Sequence, residues 1–314
     1  MNCTVTRYDK ALADLLWQEH TGLVLGIYRK CFHLLLDDGR VVTVFADEKR
    51  TMPMSLYTDI SDLETFACLP LEEGQAASFQ KSHLRIPDAS FFCKLGGTEA
   101  NLLRPSLPVP HGTDLLQEAL LRFGKANGEG RWLRPWCDHV SRNARLPKKA
   151  NLLDRMDMLM KAIDFGGDGI WTGLMNTVGL GIGLTPSGDD MICGMAAAAW
   201  LYWPEMRKQP FLRTLSRFCQ KLGWERTTRL SCQQLELTAR GVLSDPVFQL
   251  GEALSAGQGE LVDSATMDVI QYGSSSGTEL CMGFLAGMDM AVRYWESEGK
   301  RYGNKELCHQ KQIL

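Results

Sequence analysis

Two hydrophobic spacings divide the chain. In its first hundred residues the apolar positions come in short runs, among them Leu23–Tyr28, Cys31–Leu36 and Val41–Phe45. Asp37-Asp38-Gly39 separates the second run from the third, which is hairpin-turn chemistry. More short runs follow near Ala67–Leu71, His83–Ile86 and Phe91–Leu95, separated by Pro and Gly. The pattern predicts an antiparallel, barrel-like β unit over residues 1–110, ended by Pro105, Pro108, Pro110, His111 and Gly112.

Beyond that point the period becomes helical. Helices are predicted over Asp114–Phe123, Asn151–Asp164, Pro210–Leu222, Thr227–Leu243, Pro246–Ser255 and Gly273–Trp295. Gly124–Lys149 is polar and basic and reads as a solvated connector with one short helix. The chain is therefore an α+β protein: a β unit, a mainly helical domain over 111–296, and a loosely held polar tail over 297–314.

The helical half is organised around Gly179–Trp200, GLGIGLTPSGDDMICGMAAAAW. A glycine ladder (Gly179, Gly181, Gly183) leads through Thr185, Ser187 and Gly188 to Asp189 and Asp190, then to an apolar helix. A flexible loop feeding a helix start offers unpaired amides and the positive end of the helix dipole, which suits an anion. The pattern returns later: Ser187-Gly188-Asp189-Asp190-x-x-x-Gly194 is echoed by Ser276-Gly277-Thr278-Glu279-x-x-x-Gly283. Both following helices are apolar almost all round, which predicts central, buried positions.

The repeat has a structural explanation and a functional one. Ser187 with Asp190, and Ser276 with Glu279, have capping-box spacing, and two capped core helices would show this pattern without any ligand. The glycine ladder and the hydroxyl run Ser274, Ser275 and Ser276 go beyond what a cap requires. Asp189 and Asp190 are the candidate catalytic pair, and also candidate Mg²⁺ ligands. Gly183, Thr185, Ser187, Gly188, Ser274, Ser275, Ser276 and Gly277 are candidate anion binders. An Asp pair repels bare phosphate, so the serine loop is the better anion site, and the aspartate loop would face an N–H₂ group or a cation-bridged phosphate.

Composition narrows the classes. A net charge of −3 gives no footprint for nucleic acid or an anionic membrane. The ten cysteines form no C-x-x-C pair, and several lie inside apolar runs, so reduced, buried thiols are expected. The apolar run Met191–Trp203 is too short to span a bilayer, and the first residues lack a signal-peptide core, so a cytoplasmic protein is expected. The six histidines make no metal motif. No Walker A or G-x-G-x-x-G sequence occurs. Gly273-Ser-Ser275-Ser-Gly277 matches a nucleophile elbow in form, but the only histidine after it is His309.

These motifs resemble a known family. GLGIGLTPSGDDMICG is similar to the G-x-G-x-G-L-T-P-S-x-D-D-x-x-x-G signature of the AllH-like, FdrA-associated family. GSSSGTELCMG resembles that family's second motif, and Arg229–Pro246 resembles the helix between them. The resemblance implies a subunit of an oxamate carbamoyltransferase of allantoin degradation. Its reaction would be phosphorolysis of oxalurate, or a related carbamoyl compound, to oxamate and carbamoyl phosphate. It further implies an FdrA-like partner and a third subunit. A non-catalytic assembly subunit and a stand-alone Mg²⁺-dependent hydrolase are the alternatives.

Overall fold

The computed structural model describes residues 1–302, which divide into two compact units, the first Met1–Leu103 and the second beginning at Arg104. The division falls just before the Pro-rich stretch.

Nine strands build the first unit: β1 (Asn2–Asp9), β2 (His20–Ile27), β3 (Cys31–Leu36), β4 (Val41–Phe45), β5 (Ser55–Thr58), β6 (Ala76–Gln80), β7 (His83–Ile86), β8 (Phe91–Lys94) and β9 (Thr98–Ala100). Their order is β5-β4-β3-β2-β6-β7-β8-β1-β9, and pairing of β5 with β1 closes the first eight into a barrel. Closure removes the free edges that an open sheet would have to protect. Most junctions are antiparallel, as expected, but β4–β5, β1–β8 and β1–β9 run parallel. Phe32, Tyr57, Phe79 and Phe91 fill the interior with no exposed surface. The stretch expected to be a strand at Ala67–Leu71 instead follows a short helix, α1 (Leu63–Ala67), whose start is capped by Asp62 accepting from the amides of Glu64 and Thr65. That local cap decides the conformation where the apolar run alone was ambiguous.

The second unit is helical: α2 (Asp114–Phe123), α3 (Leu133–Arg142), α4 (Asn151–Phe165), α5 (Gly169–Thr177), α6 (Ser187–Tyr202), α7 (Glu205–Phe218), α8 (Trp224–Arg226), α9 (Arg229–Ala239), α10 (Asp245–Ala256), α11 (Gly259–Ile270) and α12 (Ser276–Tyr302). The expected basic connector contains α3, and only one of its faces is solvated. Leu133, Trp136, Cys137 and Val140 are buried, while Arg131, Arg134 and Arg142 are exposed. The Trp136 indole donates to the Met282 carbonyl of α12 (2.9 Å), anchoring the connector to the core. α12 continues past the expected start of the polar tail, through Tyr302; the rest of the tail lies outside the described residues.

α6 and α12 form the centre of this unit. Every α6 residue from Gly188 to Ala199 is buried, and so are the α12 residues Cys281–Val292. Two glycines set the closeness of their crossing. A Cβ at Gly194 would overlap the Leu280 carbonyl, and a Cβ at Gly283 would overlap that of Met191. The apolar, small-residue surfaces read from sequence are thus used for backbone approach at the crossing.

Candidate functional site

The close crossing brings the two helix starts together. Thr185, at the end of the glycine loop, and Ser276, the first residue of α12, bring their hydroxyls within 2.9 Å of each other. Both are half-buried. Each loop closes onto its helix in the same way: the Gly188 amide donates to the Leu180 carbonyl (2.8 Å), and the Gly277 amide donates to that of Tyr272 (3.0 Å). A Cβ at either glycine would overlap a carbonyl of the preceding segment, Thr177 or Val269. The motif glycines therefore allow a tight return of the chain. Their amides are consumed in doing so, which leaves the Ser187 and Ser276 amides, among the described residues, without a protein acceptor.

Neither expected capping box forms. Pro186 occupies the cap position of α6, and its carbonyl receives the amides of Asp189 and Asp190. The Ser275 carbonyl likewise receives the amides of Thr278 and Glu279. Asp189 and Glu279 are held by segments distant in sequence, Glu279 also by the neighbouring Ser275. Asp189 accepts from the Gly179 amide (2.7 Å), the Ser231 hydroxyl (2.6 Å) and the Thr227 hydroxyl. Glu279 accepts from the Glu129 amide (2.9 Å) and the Ser275 hydroxyl (3.2 Å). These two carboxyl groups act as ties: Asp189 fastens the glycine loop to α9, and Glu279 fastens the α2–α3 connector to the serine loop.

Asp190 is different. It is only 5% exposed, and its Oδ2 has no hydrogen-bond partner. Burial pushes its carboxyl well above the usual carboxylate range; the Ser276 and Thr185 hydroxyls oppose the shift, while Glu279 and Asp189 add to it. Burial also raises Asp189, with the hydroxyls of Ser231 and Thr227 and the Gly179 amide opposing. The expected aspartate pair is thus split, one member fully bonded and the other with an oxygen left over.

The other sequence candidates are less engaged. Gly183 is exposed, with φ +99° and nothing within 4 Å of a built Cβ. Ser274 is exposed and Ser187 half-buried. The Ser275 hydroxyl is spent on Glu279, and His309, the histidine that would have to activate it as a nucleophile, lies outside the described residues. Among the described residues no group of three or more His, Cys, Asp or Glu could hold a metal ion. With both Asp189 oxygens and both Glu279 oxygens engaged, only the Asp190 carboxyl, with its unpartnered Oδ2, is left of these three groups for a cation. A lone carboxyl group is a poor Mg²⁺ donor set.

Sequence reasoning missed the supporting residues. Lys125 donates its amide to the Thr278 hydroxyl (3.0 Å) and its ammonium to the Gly273 carbonyl (2.9 Å), placing a cation beside the serine loop. Gly128, at φ +55°, lets the connector pass against Glu279 and Ser275. Thr228 donates to the Leu184 carbonyl. Only the positive-φ glycine left a trace in the sequence; the rest depend on tertiary folding.

Two family models match the chain. Residues 177–288 match the model described as oxamate carbamoyltransferase subunit AllH, and residues 4–100 match the AllH family N-terminal domain. The first spans both helix starts and the segment between them; the second covers nearly the whole barrel. The description is of a subunit, so the family's members work beside other subunits. No solved structure matches the chain. No helix among the described residues is long and apolar enough to cross a membrane.

Proposed function

The chain belongs to the AllH family, and from that premise we propose that it serves a carbamoyltransferase complex by binding small anions between its two paired helix starts. The reaction is phosphorolysis of oxalurate, or a related carbamoyl compound, within allantoin degradation. A phosphate oxygen bonds to the ureido carbon, the carbon–nitrogen bond breaks, and oxamate and carbamoyl phosphate leave. The other subunits are an FdrA-like protein and a third chain.

The observation that carries this reading is the 2.9 Å meeting of Thr185 and Ser276. Two hydroxyls from opposite loops converge where two helix dipoles begin, with the Lys125 ammonium bonded to the serine loop beside them. Phosphate, oxamate and carbamoyl phosphate are all small anions, so one cradle of fixed donors suits each of them. Such donors also suit the oxyanion that develops at the ureido carbon. Positioning and charge stabilisation do this chemistry without a covalent protein nucleophile.

The test is reconstitution with the FdrA-like partner and the third subunit, followed by assay of carbamoyl phosphate formed from oxalurate and phosphate. A Thr185→Ala/Ser276→Ala chain in the same complex should lose at least ~100-fold in rate, as expected for removal of oxyanion-directed donors. Retention of full activity would favour the second reading, a non-catalytic assembly subunit. That reading draws support from the glycine-mediated crossing of α6 and α12 and from the internal bonds of Asp189 and Glu279, which account for much of the repeated motif without a ligand.

A further inference from the structure

Phosphorolysis of a ureido bond has a proton problem. The departing nitrogen is a very poor leaving group as an anion and must gain a proton as its bond to carbon breaks. That proton has to be stored at the site in a form that does not repel the anionic substrates. A neutral carboxylic acid meets both requirements.

We propose that Asp190 and Ser276 form a proton relay, in which the Ser276 hydroxyl gives its proton to the departing nitrogen while the Asp190 carboxylic acid replaces it. This rests on the carbamoyl-transfer reading above. Three observations support it. Asp190 is more than nine-tenths buried, and its Oδ2 has no partner. Ser276 is half-buried and Asp190 is buried, so of the two the Ser276 hydroxyl is the one a ligand can reach, and that hydroxyl also hydrogen-bonds to the Asp190 carboxyl. The groups that interact with Asp190 give it no cation: Glu279 from α12 and Asp189 from α6 are carboxyl groups, Cys193 from α6 is a thiol that burial pushes well above its ordinary range, and Thr185 and Ser276 are hydroxyls. Such surroundings favour the proton-bearing form of the acid. Asp189 cannot substitute, because both of its oxygens are engaged by Gly179, Thr227 and Ser231.

The step balances without another reagent. Phosphate dianion attacks through an unprotonated oxygen, the carbon–nitrogen bond breaks, and the relay delivers one proton to nitrogen, giving the oxamate amide. The carbamoyl phosphate formed still carries the proton of the attacking phosphate and returns it through the Ser276 hydroxyl to Asp190, leaving as the dianion. The net transfer is one proton from phosphate to nitrogen. Asp190 is the positioning residue and Ser276 the group that touches substrate.

The test compares the wild-type and Asp190→Asn chains in the reconstituted complex with two donors. Oxalurate requires the proton; an aryl carbamate with a nitrophenolate leaving group does not. With oxalurate, Asp190→Asn should lower kcat by about 100-fold or more. The KM for phosphate should stay within about threefold, and the alkaline limb of the pH profile should disappear. With the aryl carbamate the loss should be under about fivefold. Equal losses on both donors would show a structural defect, and an unaltered rate on oxalurate would show that Asp190 moves no proton; either result overturns the relay. Infrared difference spectra of the isolated chain at neutral pH provide a readout independent of activity. A protonated-carboxyl band present in wild type and missing in Asp190→Asn is expected, and its absence from wild type overturns the proposal. A band together with a wild-type complex inert toward oxalurate would discard the reaction, and the relay step with it, while leaving Asp190 as a neutral acid.

Discussion

Gly194 and Gly283 are reciprocal: each packs against the carbonyl three residues before the other, Leu280 for Gly194 and Met191 for Gly283. The repeated S-G-x-[DE]-x-x-x-G motif is therefore a symmetric crossing as well as a pair of loops. The glycine of each copy packs against the helix begun by the other copy, and this closeness brings Thr185 and Ser276 into contact. The repeat thus has a structural role in the helix crossing, which is a different role from the capping boxes that its spacing suggested.

Gly194→Ala or Gly283→Ala should each destabilise the chain by about 2–4 kcal/mol, because the new methyl overlaps a fixed backbone carbonyl and the helices must part. Urea unfolding would measure it. A cost below about 0.5 kcal/mol would mean that the crossing is looser than described.

The two adjacent aspartates should respond oppositely to the same substitution. Asp189→Asn replaces an acceptor-only group bonded to three donors by one that brings N–H donors of its own, costing about 1–3 kcal/mol. Asp190→Asn removes a buried carboxyl with an unpartnered oxygen and should leave stability near or above wild type at pH 7. Parallel denaturant titrations of the two variants would check this; similar losses in both would contradict the division of roles.

The pH dependence follows from the same burial. Asp190 keeps its proton in the folded chain at pH values where the unfolded chain has already released it, above about 4. The native state then binds more protons than the unfolded one, so this group makes stability fall as pH rises from about 4 toward its folded-state value. Asp190→Asn deletes that slope while Asp189 keeps its own. Unfolding free energies at pH 5 and pH 8 should show the variant gaining on wild type with rising pH, and a constant difference would count against it.

Lys125→Met should weaken phosphate and oxamate by roughly tenfold, the scale of one charge-assisted contact. The amide bond to Thr278 is unaffected by the change, so the connector should keep its place. Calorimetric titration of the reconstituted complex measures the effect, and unchanged affinity would remove Lys125 from the site.

Much of this was legible from spacing alone. The early strands and the Asp37-Asp38-Gly39 turn follow from local alternation and turn chemistry, and the buried helices follow from small apolar residues on all faces. β1 was not read because its alternation is short: Cys3 and Val5 point inward, then a register shift between Val5 and Arg7 breaks the period before the buried Tyr8, and polar Asn2, Thr4, Thr6 and Arg7 interleave. The Thr185–Ser276 meeting was foreshadowed only by motif repetition. The partners of Asp189 and Glu279 were out of reach: Thr227, Ser231 and Glu129 lie in segments whose docking depends on the whole helical core. Capping-box spacing misled because Pro186 and Ser275 take the cap positions, which makes Ser187 and Ser276 the first helical residues instead of caps.

The central claim is that Thr185 and Ser276 serve one ligand. Its most direct test is a double-mutant cycle on oxamate binding to the reconstituted complex, using Thr185→Ala, Ser276→Ala and the pair. Each single change should weaken binding by roughly tenfold. The double change should cost clearly less than the sum, with a coupling of at least ~1 kcal/mol, as for two groups in one hydrogen-bonded site. Strictly additive losses, or no loss in either single variant, would contradict the claim.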